Sequence, residues 1–142
     1  MSFYVDTSVL VAYYYPEALS DKAERFLTTH LRPAISTLTE LELFSAVSRK
    51  VRERGINKRD ANRIIATFVS HMDNNFYTYL TVQQYHYRLA RDWIGLFKFG
   101  LKSLDAVHLA IASSEGLTIV SADRNLLRSA GALAMDVISL SL

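Results

Sequence analysis

The sequence predicts a single α/β domain over residues 1–142, with about five short strands in a mostly parallel sheet and helices on both faces. Three observations carry this. β-prone runs alternate with stretches of helical period along the whole chain. Successive strands are separated by long helical segments rather than tight turns, so the connections are crossovers, as parallel pairing requires. At 142 residues and 50% hydrophobic content there is material for one core, and two domains would be cramped.

The elements follow in order. Ser2 to Val5 is a short β-prone run, and Asp6-Thr7-Ser8 then offers side-chain oxygens able to cap a helix that begins near Val9 and is closed by Pro16. From Leu19, the positions Leu19, Ala23, Phe26 and Leu27 fall on one helical face. Ala34-Ile35-Ser36 reads as the second strand. Thr37 or Thr39 can cap a third helix with Leu41, Phe44, Val47 and Val51 on its inner side, stopped by Gly55. Asn57 can cap a fourth helix carrying Ala61, Ile64, Ile65, Phe68 and Met72. Phe76 to Leu80, aromatic and preceded by Asn74-Asn75, reads as the third strand. Thr81 opens a helix striped by Val82, Tyr85, His86, Leu89, Trp93 and Phe97 and running to about Gly100. Ser103 can cap a helix over Leu104 to Glu115 that stops at Gly116. Leu117 to Val120 is the fourth strand, Ala122-Asp123 starts a short helix, and Ala134 to Leu140 is the last strand.

Composition narrows the chemistry. With no cysteine, disulfides, thiolate metal sites and cysteine nucleophiles are excluded, so any metal must be held by oxygen or imidazole. The start has no basic leader before an apolar stretch, and no segment approaches the ~18 apolar residues of a membrane span. The expectation is a soluble, unprocessed cytoplasmic protein that makes no membrane contact. A net charge of +2 names no partner by itself, but its distribution is uneven. Between Arg49 and Arg63, seven basic residues face two acids, a local net of +5 that leaves −3 for the rest of the chain. Such a patch suits contact with a phosphate backbone, with Arg49, Arg52, Arg54, Lys58 and Arg59 as the candidate residues; a solvated helix hairpin is the other reading.

In a parallel α/β sheet, ligands gather outside the carboxyl ends of the strands. Asp6 follows the first predicted strand, Asp123 follows the fourth, and Glu42 lies near the start of the helix after the second. Asp105, in the first turn of the helix before the fourth strand, can reach the same edge. Taken singly, each acid can be explained as a helix cap or a complement to a helix dipole. Together they would repel one another unless a cation sat between them, and hard cations such as Mg²⁺ or Mn²⁺ prefer oxygen ligands. Two such ions about 4 Å apart can activate water and stabilise the attacking and leaving oxygens of a phosphodiester. Thr7 and Ser8 stand beside Asp6 and could add hydroxyls to this chemistry.

The segments YVDTSVLVAYY, ISTLTELELFSAVSRKV, LKSLDAVHLAIASS and TIVSADRNLLRSAG resemble, in order and spacing, the signature blocks of PIN-domain ribonucleases, in particular the VapC-like toxins of toxin–antitoxin pairs. The likeness spans nearly the whole chain, and LDAVHLAIA is its most specific block. It implies a three-layer α/β/α, Rossmann-like fold, Mg²⁺- or Mn²⁺-dependent hydrolysis of RNA, a cognate antitoxin protein and a homodimer. By that resemblance Asp6, Glu42, Asp105 and Asp123 match the acidic metal-site positions, Ser8 matches a supporting hydroxyl position, and Thr7 stands beside it. The blocks align on Glu42 rather than Glu40, and about 200° of helical rotation separates the two, so they would not serve one site.

His108, a helical histidine among apolar residues, reads as structural rather than catalytic, and Arg124 as solvated. Trp93 and Tyr13-Tyr14-Tyr15 could stack on bases, although aromatic residues at helical spacing more often fill a core or a dimer seam. A haloacid-dehalogenase-like phosphatase needs a second acid two residues after its strand-end aspartate, where this chain has Ser8. A response-regulator receiver needs an aspartate after the third strand, where this chain has Leu80-Thr81. The remaining alternative is a PIN-like module with weak or no activity whose role is to bind protein or RNA.

Overall fold

The structure, a computed structural model, describes residues 2–140. Five strands, β1 (Phe3–Val5), β2 (Ala34–Ser36), β3 (Thr78–Leu80), β4 (Thr118–Ser121) and β5 (Val137–Ser139), form one sheet in the order β3-β2-β1-β4-β5. Every neighbouring pair is parallel, so the sheet expected to be mostly parallel is wholly so. Seven helices connect and flank the strands: α1 (Thr7–Tyr14), α2 (Ser20–Thr29), α3 (Thr37–Arg52), α4 (Lys58–Asp73), α5 (Gln84–Ile94), α6 (Ser103–Ser114) and α7 (Arg124–Ala132).

Alternation along the strands builds two cores. Val5, Ile35 and Val120 face the layer of α1, α2, α3 and α4, whereas Tyr4, Ala34 and Ile119 face α5, α6 and α7. The result is three layers, α/β/α. Helix α6 is buried from Ala106 to Ala112, which explains why its sequence is apolar nearly all round: it lies between the sheet and α5. The chain steps outward from β1 to β2 and β3, then returns to place β4 on the other side of β1. Strand order therefore reverses between β1 and β4, and a crevice opens at their carboxyl ends.

Several elements differ from the sequence expectation. The cap of α3 is Ser36, which forms a capping box with Thr39, rather than Thr37 or Thr39. That cap sets the phase of the helix, so Thr39, Leu43 and Val47 are buried while Leu41 is 67% exposed and Phe44 is also exposed. Helix α5 covers only Gln84 to Ile94 rather than Thr81 to Gly100. Its entry is held extended by the Val82 N–H, which donates to Thr37 Oγ1 at 3.1 Å. Beyond Gly95 the chain turns, and Phe97, predicted to be on the inner stripe, has φ 58° and is 93% exposed; Tyr85 is also exposed. Ser103 is the first residue of α6, not its cap. The edge strands are shorter than expected, with Phe76 and Tyr77 packing into the core before β3 begins. Asn57 caps α4 as expected, its Oδ1 accepting from the Asp60 N–H at 2.8 Å. Tyr13 and Tyr14 are partly buried against the core: Tyr14 bonds His71 and Tyr77, and Tyr13 packs on Tyr14 and Phe76.

Candidate functional site

The crevice between β1 and β4 holds a cleft of about 550 Å³ lined by Asp6, Thr7, Ser8, Glu42, Asp105, His108 and Asp123, among others. Each acid arrives from a different element. Asp6 leaves the end of β1, Glu42 sits in the second turn of α3, Asp105 is in the first turn of α6, and Asp123 precedes α7. Glu40 does not line the cleft; its carboxylate accepts from the Tyr79 hydroxyl at 2.8 Å.

The hydrogen bonds to these acids share one pattern. Asp6 occupies the N-cap position of α1, but its side chain makes no cap bond. Its Oδ2 instead accepts from Ser8 Oγ at 2.6 Å and Ser121 Oγ at 2.7 Å. Glu42 Oε1 accepts from Thr7 Oγ1 at 2.7 Å and is hydrogen-bonded to His108 Nε2. Asp123 does cap its helix, Oδ1 accepting from the N–H groups of Asn125 (2.9 Å) and Leu126 (3.3 Å). In all three, protein donors converge on a single carboxylate oxygen, and among the described residues none reaches the other. Ser121 was not singled out from the sequence, yet it ties both halves together by also accepting from the Asp123 N–H at 2.9 Å. A serine at a strand end two residues before the acid was the available signal.

His108 is buried, with both ring nitrogens engaged. Its Nδ1 lies 2.6 Å from the Tyr4 hydroxyl, which is in turn 2.9 Å from Ser36 Oγ and 3.1 Å from Thr39 Oγ1. A polar chain thus runs through the core on the α6 side of the sheet and ends at Glu42.

Charge crowding shows in the acids themselves. Burial, then the negative charges of Asp123, Asp6 and Glu42, push the Asp105 carboxyl above its ordinary range. Burial also opposes ionisation of Glu42, but the hydrogen bonds from His108 and from the Thr7 hydroxyl outweigh it and hold that carboxyl below the usual range. Among the described residues, no group of three or more His, Asp or Glu side chains is set to hold an ion as it stands. The donor chemistry nevertheless fits a hard divalent cation: open carboxylate oxygens around one cleft, and an acid destabilised by its like-charged neighbours.

Of the predicted backbone-contacting residues, only Arg49 lines the cleft. Arg52 bonds Ser48 Oγ at 2.8 Å and, with Lys58, borders a groove between α3 and α4; Arg54 and Lys58 surround the α3–α4 turn, and Arg59 is exposed. Lys50, not singled out from the sequence, also lines the cleft, its Nζ 3.8 Å from the centroid of the Tyr15 ring. Trp93 is partly buried against the α6-side core, and Arg124 is exposed. Among the described residues, no helix is long and apolar enough to cross a membrane.

The family model described as PIN domain matches residues 3–132. A search among curated proteins finds no match. Similar solved structures include VapC20 from Mycobacterium tuberculosis, described as a sarcin–ricin loop cleaving toxin: 18% identity over 90% of this chain and 95% of that one, TM-score 0.72. A toxin–antitoxin complex from Klebsiella pneumoniae shares 17% identity over 99% of this chain and 100% of that one, TM-score 0.68. DNA-bound VapBC from Salmonella typhimurium shares 16% identity over 99% and 98%, TM-score 0.69.

Proposed function

Because this chain belongs to the PIN-domain family, we propose that it is an endoribonuclease in which Asp6, Glu42, Asp105 and Asp123 hold Mg²⁺ or Mn²⁺, and that it is the toxin of a toxin–antitoxin pair. The carrying observation is that four acids from four elements line one cleft, three of them with one oxygen bonded to the protein and the other open. When bound, the metal would activate water and stabilise charge on the attacking and leaving oxygens of the phosphodiester.

The chain's own residues prepare that chemistry. Ser8 and Ser121 orient Asp6, the α7 amides orient Asp123, and Thr7 orients Glu42. Ser8 also accepts from the Ala122 N–H at 3.2 Å, locking the β1 and β4 ends together. Arg49 and Lys50 lie two turns beyond Glu42 on α3, roughly 10–12 Å along the helix at ~1.5 Å per residue, where they would contact the RNA backbone away from the scissile phosphate. Tyr15 holds the Lys50 ammonium over its ring, so less side-chain freedom is lost when the phosphate arrives.

The toxin reading is supported by the similarity to a loop-cleaving toxin and to toxin–antitoxin complexes, and it implies a small antitoxin protein as partner. Exposed apolar residues on and after α5, Tyr87, Ile94, Leu96 and Phe97, offer surface for the homodimer that the family likeness suggests. The experiment is RNA cleavage by purified protein with and without Mn²⁺, beside Asp6→Asn prepared identically. Cleavage by the wild type alone, lost on chelation, is expected; equal degradation by both preparations would mean contamination and remove the enzyme reading.

A further inference from the structure

We propose that Tyr4 and His108 are positioning residues: a buried hydrogen-bond chain from the cap of α3 through both holds Glu42 by Oε1 and leaves Oε2 for a divalent cation. The inference rests on the metal-site reading above. Tyr4 is fully buried in the middle strand, where phenylalanine would fill the same space without a hydroxyl to satisfy. Its hydroxyl meets Ser36 Oγ at 2.9 Å, Thr39 Oγ1 at 3.1 Å and His108 Nδ1 at 2.6 Å.

The direction of the chain follows from its chemistry. Glu42 Oε1, a carboxylate oxygen, can only accept, so His108 Nε2 carries the proton that joins them. In the neutral ring Nδ1 is then unprotonated and accepts from the Tyr4 hydroxyl. Ser36 and Thr39 are already fixed to each other by the capping box, with the Ser36 N–H donating to Thr39 Oγ1 at 3.1 Å and the Thr39 N–H donating to Ser36 Oγ at 3.3 Å. The path therefore leaves α3 at its first turn, crosses β1 and α6, and returns to α3 at Glu42, a closed loop of rigid elements. Outer partners of this kind fix the orientation of a ligating group, and their loss typically costs ~10–100-fold in metal affinity.

The test is a double-mutant cycle on Mn²⁺ affinity, measured calorimetrically on metal-free protein. Tyr4→Phe is expected to weaken binding about tenfold in the native background and to add nothing in a Glu42→Gln background, because its effect passes through Glu42. His108→Gln, whose side-chain amide can donate in place of Nε2–H, should bind better than His108→Ala. This second pair carries the test if Tyr4→Phe does not fold. The nitrogen spectrum of His108 should show the Nε2–H form without metal present. An unchanged Mn²⁺ affinity in Tyr4→Phe, an equal loss in both backgrounds, or an Nδ1–H form would overturn the inference while leaving the metal site standing. Failure of the wild type itself to bind Mn²⁺ would overturn both.

Discussion

Replacing Asp105 by Asn sets two accounts of this residue against each other, because they predict opposite signs. If Asp105 serves chiefly to complement the dipole of α6, in whose first turn it lies, neutralising it should cost about 0.3–1 kcal/mol of stability. If it is a metal-site acid crowded by Asp123, Asp6 and Glu42, the isosteric amide removes a repulsion and metal-free protein should become more stable at pH 7. The side chain is only partly buried, so solvent screens that gain to about 0.5–1 kcal/mol. Unfolding entropy near 0.3 kcal/mol per degree for a chain of 142 residues converts this into a rise of ~2–3 °C in Tm. The pH dependence follows from the direction of the shift. A carboxyl raised in the folded state binds its proton more tightly there, so its ionisation costs stability as pH rises from the ordinary value of 3.8 through the raised one. The advantage of the Asn variant should therefore be present at neutral pH and vanish below that window. The assay is thermal unfolding in chelator across pH, paired with RNA cleavage in Mn²⁺, where activity should fall by at least ~10²-fold. A lowered Tm with retained cleavage would assign Asp105 to the helix end and refute the crowding argument.

Two further perturbations test the surface and the frame. In an Asp6→Asn background, Arg49→Gln with Lys50→Gln should weaken RNA binding and reduce the slope of log affinity against log salt by about 1.4, while Arg52→Gln with Arg59→Gln should change it less, because only the first pair lines the cleft; equal slopes for both pairs would count against this path for the RNA. Leu43→Ala should cost ~2–5 kcal/mol in chemical denaturation and Leu41→Ala under ~0.5, since the first is fully buried and the second is 67% exposed. The reverse order would mean that the phase of α3 is misassigned.

What was legible in the sequence is local. Asp6 and Asp123 stand where short β-prone runs stop at an acid, and the Asn57 cap follows from its position before a clean helical stripe. The phase of α3 was not legible, because Leu41 and Leu43 both fit a stripe and the choice is made by the buried Ser36–Thr39 box, a matter of burial rather than period. Nor was the end of α5: Phe97 continues the apolar pattern, yet the helix stops after Ile94 and the chain turns past Gly95. The site's supporting atoms were hidden for another reason. Tyr4 meets His108 across 104 positions of sequence, and Ser121 meets Asp6 across 115, contacts that exist only once the sheet order brings β1 beside β4 and α6 against its face. Lys50 lay inside a basic run, and only the turn of α3 distinguishes it and Arg49, which face the acids, from Arg52, which does not.

If the proposed metal centre exists, a dication is drawn to the open carboxylate oxygens at the β1–β4 crevice. Anomalous diffraction from crystals soaked in Mn²⁺ reads this directly: a peak about 2.0–2.3 Å from Asp6 Oδ1 and Asp123 Oδ2 is predicted. An empty crevice at millimolar Mn²⁺, or ions bound only elsewhere on the surface, would contradict it.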